Sequence, residues 1–151
     1  TFKSFIIAEG FQDKLLQQWS LRPAIARQPQ FANMTSTVLE KLCRVAESKI
    51  LHEGDSYELS EYTWCLLAGG EASLNGKSMY RDEDYGARPF AETNSGPVVT
   101  REGCTLLLFD ARQLERLRMK TPQLNYYLRK LRAKELNNQV PWKLGAVDIL
   151  N

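Results

Sequence analysis

The spacing of apolar residues divides the chain into a helical beginning, a strand-rich middle and a helical end. Over residues 7–19 the apolar side chains recur every three or four positions, which predicts an amphipathic helix. A second helix is predicted over residues 37–48, because Thr37 and Glu40 have the spacing of a capping box ahead of an apolar stripe. Each helix has one apolar face and therefore needs a partner surface.

The middle of the chain changes to short apolar and aromatic runs that end at glycine or acidic turns. Strands are predicted at residues 49–52, 62–67, 97–100 and 104–109. Asn75-Gly76 separates two further short runs, residues 71–74 and 77–80, and favours a type I′ hairpin because both of its central residues take positive φ. Residues 81–84 predict a charged, solvated turn.

Helical spacing returns after Asp110, which is a candidate N-cap, and Thr121-Pro122 predicts the start of a further helix with proline in its first position. Its apolar face would carry Leu124, Tyr127, Leu128, Leu131 and Leu136. The opposite, solvent-facing side would carry Arg129, Lys130, Arg132 and Lys134.

This order of elements predicts an α+β domain, an antiparallel β-roll or jelly roll flanked by N-terminal and C-terminal helices. We divide the chain into an N-terminal helical extension (residues 1–30), the roll with its helices (31–137) and a C-terminal tail (138–151). Because the chain begins with threonine, we expect it to be part of a longer protein.

Composition excludes several classes of protein. The net charge of +2 is too small to indicate a nucleic-acid partner, and the basic side of the last helix is typical of a solvated helix face. Three scattered cysteines fit neither a disulfide framework nor a zinc site and indicate a cytoplasmic setting. No apolar run approaches the roughly 20 residues of a membrane helix. His52 is the only histidine, so neither a metal site nor a histidine-dependent catalytic set is expected, and we predict no enzyme activity.

The candidate site is the segment of residues 85–99, which contains two glycines and two prolines and has no apolar period. It follows Glu53-Gly54-Asp55, the Asn75-Gly76 hairpin and Tyr85-Gly86, and it precedes Val98-Val99 and the apolar run of residues 104–109. In that order and spacing, over roughly residues 29–136, the chain resembles the cyclic nucleotide-binding domain family, which includes the effector domain of the catabolite activator protein and the regulatory subunit of protein kinase A.

The resemblance implies that this segment is a phosphate-binding cassette. In the family, backbone N–H groups and one arginine hold the cyclic phosphate, and a glutamate binds the ribose hydroxyl. The cassette positions here are Gly86, Ala87, Arg88, Asn94 and Ser95. Ala87 stands in the place of the glutamate and Asn94 in that of the arginine, so conventional cyclic AMP or cyclic GMP binding is expected to be impaired. Arg88 and Arg101 are candidate replacement cations.

The resemblance further implies a regulatory module in which ligand binding moves the C-terminal helix. The transmitting surface would be formed by Leu117, Leu124, Leu128 and Leu131, which could also form a homodimer or bind a protein partner. Two alternatives stay open. One is an interaction or dimerisation scaffold whose dead pocket is plugged by Tyr85 or Phe90, and the other is a sensor of a different small anionic ligand. We expect no metal and no cofactor beyond a doubtful cyclic nucleotide.

Overall fold

The computed structural model describes the backbone of residues 21–139 and the side chains of residues 21–133. Several predictions therefore fall outside the described side chains: the helix over residues 7–19, Lys134, Leu136 and the C-terminal tail. The domain boundaries drawn from the sequence stay predictions. No helix within the described range is long and apolar enough to cross a membrane.

The described chain opens in a helix, α1 (residues 21–26), followed by a 3-10 turn, Pro29–Phe31. Helix α2 (Ser36–Val45) begins with Thr35, whose hydroxyl oxygen accepts a hydrogen bond from the Val38 N–H at 3.4 Å. The capping role predicted for Thr37 was therefore wrong. The helix also ends earlier than expected, because Ala46 is already extended and begins the first strand.

Eight strands follow, and then two helices, α3 (Ala111–Lys120) and α4 (Pro122–Gln139). The strands are β1 (Ala46–Leu51), β2 (Ser56–Leu59), β3 (Thr63–Gly70), β4 (Ser73–Leu74), β5 (Lys77–Ser78), β6 (Asp84–Gly86), β7 (Gly96–Val99) and β8 (Cys104–Asp110). Strand β6 was not predicted, because three residues are too few to establish an alternating pattern. Strand β2 was missed although its four residues do alternate between polar and apolar side chains.

The strands form two antiparallel four-stranded sheets, in the orders β1-β8-β3-β6 and β2-β7-β4-β5. This confirms the predicted α+β roll. Asn75 and Gly76 have φ values of 52° and 78°, which confirms the type I′ hairpin between β4 and β5. Asp110 caps α3 by accepting from two backbone N–H groups, and Pro122 is the first residue of α4, both as predicted.

Two apolar clusters lie on opposite faces of the first sheet, because successive side chains of a strand point to opposite sides. Leu67, Leu106 and Val98 belong to the cluster between the two sheets. Trp64 and Phe109 point the other way, into a cluster with the helices. That second cluster includes Leu21 and Ile25 of α1, Phe31, Leu42, Leu114, Leu124 and Leu128. The helices are therefore fixed to the outer face of the roll.

Candidate functional site

The candidate site is the loop of residues 87–95 between β6 and β7, and its geometry starts at Gly86. This residue has a φ of 78° and pairs with Trp64 across the sheet. A Cβ atom here would collide with the carbonyl oxygen of Thr63, and the same oxygen accepts a hydrogen bond from the Ala87 N–H at 2.9 Å. Only glycine fits both the backbone conformation and the close approach of β3.

Asn94 closes the loop onto its own start. Its side-chain oxygen accepts from the Gly86 N–H at 2.6 Å, and its own N–H donates to the Gly86 carbonyl at 3.1 Å. Next to it, Ser95 is exposed, and its carbonyl accepts from the side-chain amide of Asn75 at 3.0 Å. The fold thus brings together Gly86, Asn94 and Ser95, and it ties them to the β4–β5 hairpin.

Between these ends the loop makes a turn at Pro89 and Phe90 and contains no helix. The Arg88 N–H donates to the Gly86 carbonyl at 3.0 Å, and the Ala91 N–H donates to the Arg88 carbonyl at 3.3 Å. Phe90 takes part in this turn with a φ of 60°. Several backbone donors of this loop are consequently bonded to the protein itself.

Arg88 lies against an acidic residue of β6. The Arg88 Nε atom is 3.4 Å from Oδ1 of Asp84, and the Arg88 side chain is only 15% exposed. The Asp84 side chain is 1% exposed and accepts from the indole N–H of Trp64 at 2.6 Å. The predicted solvated turn was therefore wrong for Asp84, although Asp82 and Glu83 are exposed. Asp84 belongs to β6, whose pairing with β3 buries it.

The same carboxylate forms an ion pair with Arg132 of α4. The Arg132 side chain is 12% exposed, so the prediction that it faces solvent was wrong. Its Nε atom also donates to the Pro89 carbonyl at 2.7 Å. The apolar periodicity of α4 did not indicate that Arg132 is buried, because Arg132 lies on a flank of the helix that is covered only when the loop packs against it. Arg132 therefore joins α4 both to β6, at Asp84, and to the loop, at Pro89.

Phe90 makes a second contact between the loop and the helices. The guanidinium carbons of Arg118 from α3 and Arg129 from α4 lie 4.8 Å and 5.0 Å from the centre of its ring. Arg118 is held in turn by an ion pair with Glu115 and a hydrogen bond of 2.7 Å to the side-chain oxygen of Asn125. The bond from Arg118 lowers the pKa of the Glu115 carboxyl.

The predicted transmitting leucines lie in and beside the cluster under the helices. Leu124 and Leu128 are buried there, Leu117 packs against the cluster, and Leu131 is half-buried. Their role in transmission stays a prediction. Arg101, the other candidate cation, is exposed in the turn after β7, at the opposite end of that strand from the loop.

Tyr85, one of the two residues considered as plugs, lies in the cluster between the sheets. Its hydroxyl accepts from the Tyr80 N–H at 2.6 Å and is 3.3 Å from Oε2 of Glu83. Burial raises the pKa of this phenol above its usual range. Phe90 is half-exposed and lies on the two arginines. Of the two candidates, Tyr85 is the one inside the roll.

Chemistry elsewhere in the described residues is sparse. His52 is exposed, and no group of three or more histidine, cysteine or acidic side chains within residues 21–133 could hold a metal ion. Cys43, Cys65 and Cys104 are buried free thiols, and burial raises the pKa of Cys65 to about 12. A polar cleft of about 330 Å³ lies where β1 begins and α3 starts, with Arg44, Glu47, Asp110 and Gln113 among its lining residues.

No protein-family model and no curated protein sequence matches the chain. Several solved structures resemble it. The regulatory domain of Toxoplasma gondii PKA with cAMP superposes with a TM-score of 0.60 at 11% identity, covering 82% of this chain and 51% of that one. A structure of Sp-2Cl-cAMPS bound to PKAR CBD2 gives a TM-score of 0.54 at 15% identity, over 85% of this chain and 94% of the other.

The N-terminal domain of a transcriptional regulator from Streptomyces coelicolor A3(2) gives a TM-score of 0.56 at 15% identity, covering 78% of this chain and 95% of that one. The chain spans about half the length of the Toxoplasma gondii fragment and nearly all of the two single domains. At these identities the likeness concerns the fold, and the fold is that of the cyclic nucleotide-binding domains.

Proposed function

We propose that this chain is a non-catalytic regulatory module of a larger cytoplasmic protein, in which the loop of residues 87–95 is held closed by the protein's own groups instead of by a cyclic nucleotide. Two of the solved structures with this fold are described as bound to cAMP or a related compound, and the third belongs to a transcriptional regulator. Two of them are described as a regulatory domain and as part of a transcriptional regulator, which supports a regulatory role for this chain.

The observation that carries the proposal is the way in which Asn94 occupies the Gly86 N–H. In the family that this chain resembles, an arginine at this position would face the phosphate. Here the Asn94 side-chain oxygen instead accepts from the Gly86 N–H and closes the loop. Arg88, the nearest alternative cation, lies against Asp84. The groups that would hold a cyclic phosphate are therefore either absent or already engaged by protein partners.

The size of the expected loss follows from the two substituted positions. A hydrogen bond to a charged group contributes about 1.5–3 kcal/mol, so losing both the arginine and the glutamate removes roughly 3–6 kcal/mol. Since 1.4 kcal/mol corresponds to a factor of ten in Kd, this weakens binding by at least about a hundredfold. We therefore expect no binding of cyclic AMP or cyclic GMP at micromolar concentration.

We further propose that α4 carries the output of the module, because it contacts the loop directly. Arg132 bonds to the Pro89 carbonyl and pairs with Asp84, and Arg129 lies on Phe90. Any event that rearranges the loop must break or move these contacts. Leu124 and Leu128 on the neighbouring face of α4 would then change their packing against the sheet.

The first test is isothermal titration calorimetry of the chain with cyclic AMP, cyclic GMP and cyclic di-GMP. We expect no binding heat at micromolar ligand concentrations, because the lost contacts weaken binding by at least about a hundredfold. Micromolar binding that disappears in Arg88→Ala would contradict the proposal. It would instead identify the alternative, a rewired sensor in which Arg88 leaves Asp84 for an anionic ligand.

The second test addresses transmission through α4. In Arg132→Met, amide hydrogen exchange should increase both in residues 87–93 and along α4, because the same side chain holds both segments. Arg116→Met is the matched control, since Arg116 is an exposed basic residue of α3. Faster exchange in only one of the two segments would show that they are not coupled and would leave an interaction scaffold as the better account.

A further inference from the structure

We propose that the basic face of α3 and α4 around Phe90 is a docking surface for an acidic segment of a partner protein. We call it the Phe90 face and define it by Phe90, Arg118, Met119, Tyr126 and Arg129. The inference deepens the proposed regulatory function by naming the chemistry of its partner. It needs neither nucleotide binding nor movement of α4, so the two proposals fail separately.

Charge is concentrated on these two helices. Residues 111–133 contain seven lysine and arginine side chains and one acidic side chain, Glu115, whereas the whole chain has a net charge of only +2. Glu115 is paired with Arg118, and Asp84 lies beside Arg132. The exposed basic residues Arg112, Arg116, Lys120, Arg129 and Lys130 are left as a positive field on the helical side of the molecule.

Large apolar side chains are exposed within this field. Met119 is 74% exposed, Tyr126 is 56% exposed and Phe90 is 46% exposed. Met119 lies one turn after the exposed Arg116 on α3, and Tyr126 lies one turn before the exposed Arg129 on α4, so each neighbours a basic residue of these helices. Aromatic residues, methionine and arginine are the types enriched at protein interfaces, and they supply most of the binding energy there.

The position of Phe90 is fixed before any partner arrives. Its φ of 60° is rare for a bulky residue, and such conformations persist only where the surroundings impose them. Here the surroundings are the Arg132 bond to Pro89 and the guanidinium groups on the ring. A ring held in place loses little conformational freedom on binding, which favours affinity.

The arrangement favours an acidic protein segment over nucleic acid or a membrane. Phosphates of nucleic acid or of a membrane surface would engage only the cations of this face, whereas its large exposed apolar side chains also need a partner. The exposed side chains of Phe90, Met119 and Tyr126 match apolar side chains of a peptide. The surrounding guanidinium groups match carboxylates, with which arginine forms bidentate pairs.

The test is a selection from a displayed library of random 16-residue peptides on the full chain in 150 mM salt. We expect enriched peptides to be rich in aspartate and glutamate, with apolar residues three or four positions apart. A synthetic peptide of the enriched sequence is then titrated by fluorescence anisotropy. Arg129→Glu and Met119→Glu should each weaken binding by at least tenfold, whereas Arg101→Glu, on the β7–β8 turn, should stay within twofold of the unmodified chain.

Phe90→Asn provides a variant that removes the ring but tolerates the positive φ, and it should also weaken binding at least tenfold. Circular dichroism of each variant verifies that it is folded. The proposal is overturned if no acidic peptides are enriched, or if the enriched peptides bind Arg129→Glu as well as the unmodified chain. It is also overturned if a 20-base-pair DNA duplex or phosphatidylserine vesicles bind more tightly than the peptide and lose binding in Arg129→Glu.

Discussion

The ion pair between Asp84 and Arg132 allows the most quantitative prediction about stability. Substituting each partner alone and then both together separates the energy of this pair from that of its neighbours. Asp84→Asn removes the negative charge and keeps a side-chain oxygen that can still accept from the Trp64 indole N–H. Arg132→Met keeps the apolar length of the side chain and removes the guanidinium group. Neither change creates a large cavity.

The magnitude follows from the burial of the three charged groups. Removing one partner from a buried pair typically costs about 3–5 kcal/mol, because the other charge is left in the interior. The Arg88 and Arg132 side chains retain 15% and 12% of their exposure and so reach some water after Asp84→Asn. We therefore expect a loss near the lower limit, about 3 kcal/mol of unfolding free energy. In a chain of this length that corresponds to a fall in Tm of roughly 6–12 °C.

Arg132→Met should cost less, about 2 kcal/mol, since Arg88 stays beside the carboxylate. The double variant should be less destabilised than the sum of the two single variants by about 1.5–3 kcal/mol, because the second substitution removes an already unpaired group. Urea unfolding followed by tryptophan fluorescence and by circular dichroism measures all four proteins. The m-value must stay constant for the comparison to hold.

A double variant whose loss equals the sum of the single losses within about 0.5 kcal/mol would refute this reasoning. It would mean that the two residues stabilise the fold independently and that the contact between α4 and the loop carries little energy. As a further control, Arg116→Met on α3 should change the unfolding free energy by no more than about 0.5 kcal/mol, as is usual for exposed surface positions.

Three further predictions concern stability and reactivity. Gly86→Ala should lower the unfolding free energy, measured in urea, by at least about 2 kcal/mol, because a collision with the backbone of β3 adds to the unfavourable positive φ. Gly54→Ala, at nearly the same φ but with open space around it, should lower it by only about 1–2 kcal/mol. Equal losses would contradict the steric argument. Thr35→Ala removes the N-cap of α2 and should lower the unfolding free energy by about 1 kcal/mol, and Thr37→Ala should lower it clearly less. The reverse order would show that the cap is misassigned. Cys65 should resist alkylation by iodoacetamide in the folded protein at pH 8 and react in urea, because burial raises its thiol pKa to about 12 and the thiolate is the reactive form; rapid reaction of the folded protein would contradict this.

The sequence by itself determined the class of fold and most of its elements. Changes of apolar period distinguish the strands from the helices, and local chemistry fixed several boundaries. Asn75-Gly76 specifies its turn because few residue pairs accept two positive φ values, and Asp110 caps α3 because its carboxylate reaches the first N–H groups of that helix. Such signals act within a few residues and are readable without a partner.

Local patterns gave wrong assignments where a distant segment decided the outcome. Thr37 has the spacing of a cap, but α2 begins at Thr35, next to Gln123 of α4, whose side-chain oxygen lies 3.3 Å from the Thr35 hydroxyl oxygen. Asp84 follows three charged residues in a segment that is typical of a solvated turn, and only the pairing of β6 with β3 reveals that it is buried.

The sequence singled out the candidate site as a prediction, and the tertiary structure decided its internal arrangement. The glycines and prolines of residues 85–99 predicted a specialised loop, and Ala87 and Asn94, which stand where the resembled family has a glutamate and an arginine, predicted altered chemistry. Arg88 is only four residues from Asp84, but Arg132 reaches the same carboxylate from 48 residues away, and no local pattern encodes that contact. Charges pair according to their distance in space, so the partners of buried charges became known only once the helices had packed on the sheet.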